Sequence, residues 1–132
     1  MKRYDPLKAP DSQEWLALDE EERITLARQY HIFARIKVPN VQAHAVAHAL
    51  VENQIALGDE IPVARTLRRL MAEGLDRHDA VHAIGFVLLG YMNDLLKAAD
   101  AHSVPAGDAN LAYFAELELL TAESWRQSGV EQ

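Results

Sequence analysis

The chain has no cysteine, which excludes disulfides, thiolate zinc sites and thiol nucleophiles together. Any metal it binds must be held by nitrogen and oxygen. Long hydrophobic runs are also missing. The most apolar stretch, Phe86 to Met92, falls far short of the roughly 20 residues a membrane span needs. No apolar segment follows the opening Met1-Lys2-Arg3-Tyr4-Asp5-Pro6, so no secretion signal is read there and a cytoplasmic protein without membrane contact is expected. Positive charge is in deficit: 13 Lys and Arg against 20 Asp and Glu leave a net charge of -7. That balance argues against a nucleic-acid surface, which needs clustered positive charge to displace counterions. Apolar and polar residues never alternate long enough for a convincing strand. No glycine motif cradles a phosphate, and no serine sits in a nucleophile setting.

What remains reads as helix almost throughout. A chain of 132 residues fits one domain with an ordinary core. The expectation is an all-α fold, an up-down bundle of four main helices plus a short C-terminal helix, in a single domain over residues 1–132. Pro6 and Pro10 mark residues 1–11 as an N-terminal arm, and a short turn around Ser12 to Leu18 should dock Trp15 and Leu16. Asp19 with Glu22 forms a capping box for a helix running to about Ile36, stopped by Pro39. Asn40 caps the second helix, about Val41 to Leu57, and Gly58-Asp59-Glu60 is a turn. Pro62 opens the third helix and Gly74 closes it with a left-handed cap. Asp76 caps the fourth, with Asp79 at the capping-box position, and it continues to about Ala99. Residues 103–107 form a loop, Asp108 caps a last helix through Leu120, and residues 122–132 read as a frayed tail. Leu88, Leu89, Met92, Leu95 and Leu96 form an apolar stripe, part of which fits a homodimer seam. Arg65, Arg68 and Arg69 read as a solvated face paired with Glu73 and its neighbours.

Four of the six histidines come as two pairs, His44 with His48 and His78 with His82. Helical residues four apart share a face, so each pair can close on one ion. Glu52 follows at the same spacing. It stands about 12 Å along the axis from His44, yet it leans back toward His48. It is read as a ligand, as an acceptor fixing the tautomer of His48, or as a ligand to a second ion. Asn53 and Gln54 are expected to add hydrogen bonds. In an up-down bundle the second and fourth helices run parallel, which would set both pairs at one end, and the first helix would deliver His31 there. The positive end of the fourth helix favours neutral imidazole, the form that binds metal. His102, beside the loop, is read as solvated.

The leading expectation is a divalent transition metal, with zinc, iron or nickel foremost, held by His44, His48, His78 and His82 with Glu52 and His31 as additional members. An open position on that ion would permit metal-assisted hydrolysis or oxygen chemistry. The competing class is a non-catalytic homodimeric interaction module whose histidines pack under helix ends or respond to pH.

From about Asn40 to Leu96 the chain resembles a bacterial domain family of unknown function. Its short helical members pair His-x-x-x-His…Glu with a later His-Glu-Ala-x-His. The matching residues are Asn40, His44, His48, Glu52, Gln54, Leu70, His78, Asp79, Ala80 and His82. The resemblance implies a shared site and no particular reaction. His78-Asp79-Ala80-Val81-His82 is also similar to the His-Glu-x-x-His of zinc peptidases, with Asp79 as base, but no substrate-binding strand accompanies it and Asp79 is better read as a cap. At the level of ligands, His48…Glu52 and His78…His82 are similar to elements of hemerythrin-like di-iron bundles, with His31 standing for a further histidine. His102 and Asp108 have the wrong spacing for the last helix of that fold.

Overall fold

The computed structural model describes residues 1–101 and 109–129, which hold seven α-helices, one 3-10 turn and no strand. They are α1 (Ser12–Ala17), α2 (Glu20–Phe33), α3 (Val41–Ala56), the turn Gly58–Glu60, α4 (Val63–Ala72), α5 (Arg77–Asp100), α6 (Ala109–Leu119) and α7 (Ala122–Gln127). The all-helical expectation holds, and no helix is long and apolar enough to cross a membrane among the described residues. His102, the loop at 103–107 and Asp108 lie outside the described residues.

Capping chemistry sets the helix starts where the sequence marks them. The Asp19 carboxylate accepts from the Glu22 N–H at 2.8 Å, and Glu22 reaches back to the Asp19 N–H. Asn40 caps α3 and Asp76 caps α5, each accepting from a backbone N–H three residues on. The end of α2 differs from expectation. It stops at Phe33, ahead of Pro39, because Ile36 N–H bonds His31 O and Arg35 N–H bonds Ile32 O. This paired closure needs a left-handed residue, and Arg35 supplies it with φ 56° at a cost of ~1 kcal/mol for a side chain other than glycine. The same closure at α4 uses Gly74, φ 111°, with Leu75 bonding back to Leu70.

Helices α2 and α3 pair antiparallel, so that Glu20 and Arg23 meet Asn53 at one end and His31 meets His44 and His48 at the other. Between α3 and α5 the contacts depart from the parallel register expected. His44 meets His82, whereas Glu52, two turns further on, meets Arg77 at the very start of α5. Helix α3 carries Ala45, Ala47 and Ala49 buried, which favours helix and lets neighbouring backbones close in. It therefore serves two apolar clusters. One gathers Tyr4, Trp15, Leu26 and Ala27 against Ala45 and Ala49. The other joins Val51 to Leu67, Leu70, Ile84, Leu117 and Trp125.

Among the described residues, both terminal segments are packed against the body of the fold. Tyr4 and Pro6 of the arm are buried. Within the tail expected to fray, Ala122–Gln127 form helix α7, capped by Thr121 and Ser124, and residues 130–132 lie outside the described residues. The Glu73 carboxylate, at the end of α4, accepts the Ala122 N–H at 2.9 Å, placing negative charge at the positive end of α7. Trp125 packs against Phe86 with ring centroids 6.0 Å apart. On α5, Leu88 is buried while Leu89, Met92 and Leu96 are exposed. Arg65, Arg68 and Arg69 pair with Glu118, Asp59 and Glu73 as a solvated face should.

Trp125→Ala is expected to lower the unfolding free energy by about 3 kcal/mol, the scale of a buried aromatic truncation, measured by urea denaturation. A frayed tail would show no change.

Candidate metal centre

Three helices deliver five histidines to one point. His31 comes from the last turn of α2, His44 and His48 from α3, and His78 and His82 from the first turns of α5. One ring nitrogen from each lies within 4.8 Å of every other. His31, His48 and His82 are buried, while His44 and His78 keep an edge toward solvent. Both pairs read from spacing are thus brought together, and His31 with them.

The hydrogen bonds decide where the protons sit. His31 Nδ1 is 2.7 Å from the Ala27 carbonyl. A carbonyl only accepts, so Nδ1 carries the hydrogen and Nε2 is a bare lone pair. That Nε2 is buried without a partner. Tyr4 donates its one hydroxyl hydrogen to Glu52 Oε2 at 2.5 Å, and its oxygen lies 3.0 Å from His48 Nδ1. Nδ1–H of His48 must therefore be the donor to Tyr4, which leaves His48 Nε2 bare as well. His48 Nε2 and His44 Nε2 stand 2.7 and 2.9 Å from His82 Nε2. One ring nitrogen holds either a proton or a lone pair, so neutral rings meet both contacts only if a single His82 hydrogen is split between two lone pairs, a weaker arrangement than two full bonds. A cation among them removes the conflict. Nitrogens about 2.1 Å from one ion and at right angles stand about 3 Å apart, which matches these separations. His78 Nε2 and His82 Nδ1 are also buried with no partner among the described residues.

Glu52 stands outside this set of nitrogens. Its Oε1 accepts from Arg77 Nη2 at 2.7 Å and its Oε2 from Arg77 Nη1 at 2.8 Å as well as from Tyr4. Arg77 Nη1 also donates to the Pro6 carbonyl at 2.9 Å. Of the roles read for Glu52, that of an acceptor behind His48 is realised at one remove, through the Tyr4 hydroxyl. Asn53 and Gln54 turn elsewhere. Asn53 accepts from Trp15 and Arg23, and Gln54 accepts from Tyr113. Asp79 has its backbone N–H held by Asp76 and a half-buried carboxyl whose pKa is raised by burial and by the Asp76 charge. Sequence reasoning missed Tyr4 and Arg77. A glutamate on the inward face of an alanine-rich helix calls for a cation, and Arg77, beside His78, was available. Nothing in the sequence marks Tyr4.

Burial keeps all five rings neutral. It is the largest cause of the lowered pKa at each, and mutual repulsion between the rings deepens it at every one except His31, where the Ala27 carbonyl partly opposes it. His44 and His78 fall to about 4 and His82 to about 2. Asp76 and Asp5 pull the other way at His78. Tyr4 is raised well above its ordinary value, by burial first and then by Glu52, so it stays a hydrogen donor. A cluster of neutral buried lone pairs is what a divalent ion requires. Compared with protein-family models, curated proteins and solved structures, the chain matches none.

Two expectations follow from these charges. Arg77→Met leaves Glu52 buried and unpaired and should cost roughly 3–5 kcal/mol, and Arg77→Met with Glu52→Gln should recover a large part of it; denaturant titration of both variants measures this. The lowered histidine pKa values mean that below about pH 6.5 the unfolded chain takes up protons that the folded chain refuses. Stability of the metal-free protein is then complete above that pH and lost as pH falls toward 4. Melting temperatures should drop by several degrees between pH 7.5 and pH 5, and a flat profile would contradict the assignment of neutral rings.

Proposed function

We propose that this chain binds one divalent transition-metal ion through His31, His44, His48, His78 and His82, with Tyr4, Glu52 and Arg77 as the support behind His48. The observation that carries this reading is the convergence of five ring nitrogens within 4.8 Å, where neutral rings meet the His44–His82 and His48–His82 contacts together only by splitting one hydrogen between two lone pairs. An all-nitrogen donor set suits zinc, nickel, cobalt, copper(II) or iron(II). It does not suit magnesium or calcium, which take oxygen, nor copper(I), which takes sulfur. The same residues carry the resemblance to short helical proteins with His-x-x-x-His…Glu and His-Glu-Ala-x-His, and we read the metal site as the common feature of that pattern.

Tyr4 and Glu52 give His48 the hydrogen-bonded carboxylate that metal-binding histidines commonly have, with a phenol interposed. An acceptor behind Nδ1–H fixes the ring and raises the basicity of Nε2. The ion pair with Arg77 holds Glu52 in place for this task.

Protein prepared without a histidine tag should retain close to one equivalent of metal by elemental analysis and melt at lower temperature after chelation. His82→Ala should abolish retention, and Tyr4→Phe should weaken affinity by about tenfold or more while leaving the fold intact by circular dichroism. Substoichiometric metal that is indifferent to His82→Ala would sink the proposal.

A further inference from the structure

Glu52 is the buried carboxylate of the described residues, and its charge is already answered by Arg77 at 2.7 Å. The five imidazoles bring no charge of their own. Tyr4 spends its hydroxyl hydrogen on Glu52 and brings no charge either. An ion of charge two placed among these rings would therefore keep its full charge in a site from which water is largely excluded. Burying uncompensated charge is expensive. Nearby acids give little relief: Asp5 and Asp76 turn a carboxylate oxygen to the Leu7 and Asp79 N–H groups, Asp76 is exposed, and Asp5 and Asp79 are half-buried. Five donors also leave an octahedral ion one position short. The rings that keep an edge toward solvent are His44 and His78, whereas His31, His48 and His82 are closed in.

Resting on the metal reading, we infer that the loaded site takes a small monovalent anion as its sixth donor, entering on the side of His44 and His78. The ligand class is a compact mono-anion with one exposed donor atom, such as hydroxide, azide or a small carboxylate. A neutral donor of similar size would fill the position without relieving the charge. The site thus selects by charge rather than by shape, and the tight Glu52–Arg77 pairing is what creates that demand. Were Glu52 free to turn toward the rings, the ion would have an internal counter-charge and no call for an external one.

The experiment uses the full chain loaded with one equivalent of Co2+, whose visible ligand-field bands report coordination directly, in a perchlorate medium that does not coordinate. Azide should shift those bands along a saturating one-site curve, and imidazole at equal concentration should produce a much smaller change. His44→Asp supplies an internal negative ligand and should weaken azide binding by about tenfold. Where that variant loses Co2+, the comparison of azide with imidazole on the parent protein decides. Bands that stay unmoved at large azide excess, or that respond equally to imidazole, overturn this inference and leave the metal site standing. A chain that retains no Co2+ removes the metal site, and the sixth position with it.

Discussion

Glu52 and Arg77 can be buried only together. Each is almost wholly shielded from water, and either one alone would be an uncompensated charge in the interior. Their pairing fixes more than itself. Glu52 belongs to α3 one turn beyond His48, and Arg77 immediately precedes His78 on α5. The pair thus pins the approach of the two helices that carry four of the five clustered histidines. It also recruits the arm, since Arg77 holds the Pro6 carbonyl and Glu52 holds the Tyr4 hydroxyl. Through Tyr4 the same carboxylate sets the tautomer of His48. One buried ion pair therefore links helix register, arm docking and the direction in which a ring nitrogen points.

Much of this was legible in the sequence because it rests on local chemistry. The caps at Asp19, Asn40 and Asp76, the close at Gly74 and the i,i+4 histidine pairs all express rules that act within one turn of helix. His31 was legible too, because a short connection from α2 to α3 must bring it back beside His44. The parallel register of the second and fourth helices was not a sound inference. Loop length says which helices are neighbours but not at what angle they pack. The contacts that record the arrangement, His44 with His82, Glu52 with Arg77 and Gly85 near Ala47 and Val51, join residues 25 or more apart in the chain. The arm escaped reading for a related reason. Tyr4 is buried by Trp15, Tyr30 and His48, partners up to 44 residues away, and no periodicity announces such a contact. Trp125 shows the same failure at the other end: a polar, six-residue helix is marginal alone and stands because Glu73 and Phe86 receive it.

The proton positions in the cluster follow from backbone geometry as much as from side-chain chemistry. His31 sits one turn after Ala27, so its Nδ1 meets a carbonyl of its own helix and its Nε2 is aimed at the cluster without a choice of tautomer. The Schellman closure after it, with Arg35 forced into a left-handed conformation, ends α2 within a turn of that ring. A strained residue there is the cost of stopping the helix where His31 is needed. His48 gains the same outcome from across the fold, by way of Tyr4. Two unrelated devices thus strip the proton from the inward nitrogen of two different rings.

A packing role for these histidines makes a definite demand, and four of the five do not meet it. Imidazoles that merely fill space beneath helix ends direct their N–H groups to backbone carbonyls and keep their lone pairs toward water or donors. Among the described residues only His31 makes such a backbone bond, and only through Nδ1. The inward nitrogens of His31 and His78 meet nothing, and those of His44 and His48 crowd the same nitrogen of His82. An apolar core of the same volume would stabilise the fold better, since buried polar atoms without partners each cost about 1–3 kcal/mol. The arrangement makes energetic sense when one positive charge lies at the centre, because the inward lone pairs then share one partner and only His82 Nδ1 is left without one. The physical question posed by the site is therefore how that charge, once present, is balanced in a pocket whose one buried carboxylate has already been given to an arginine.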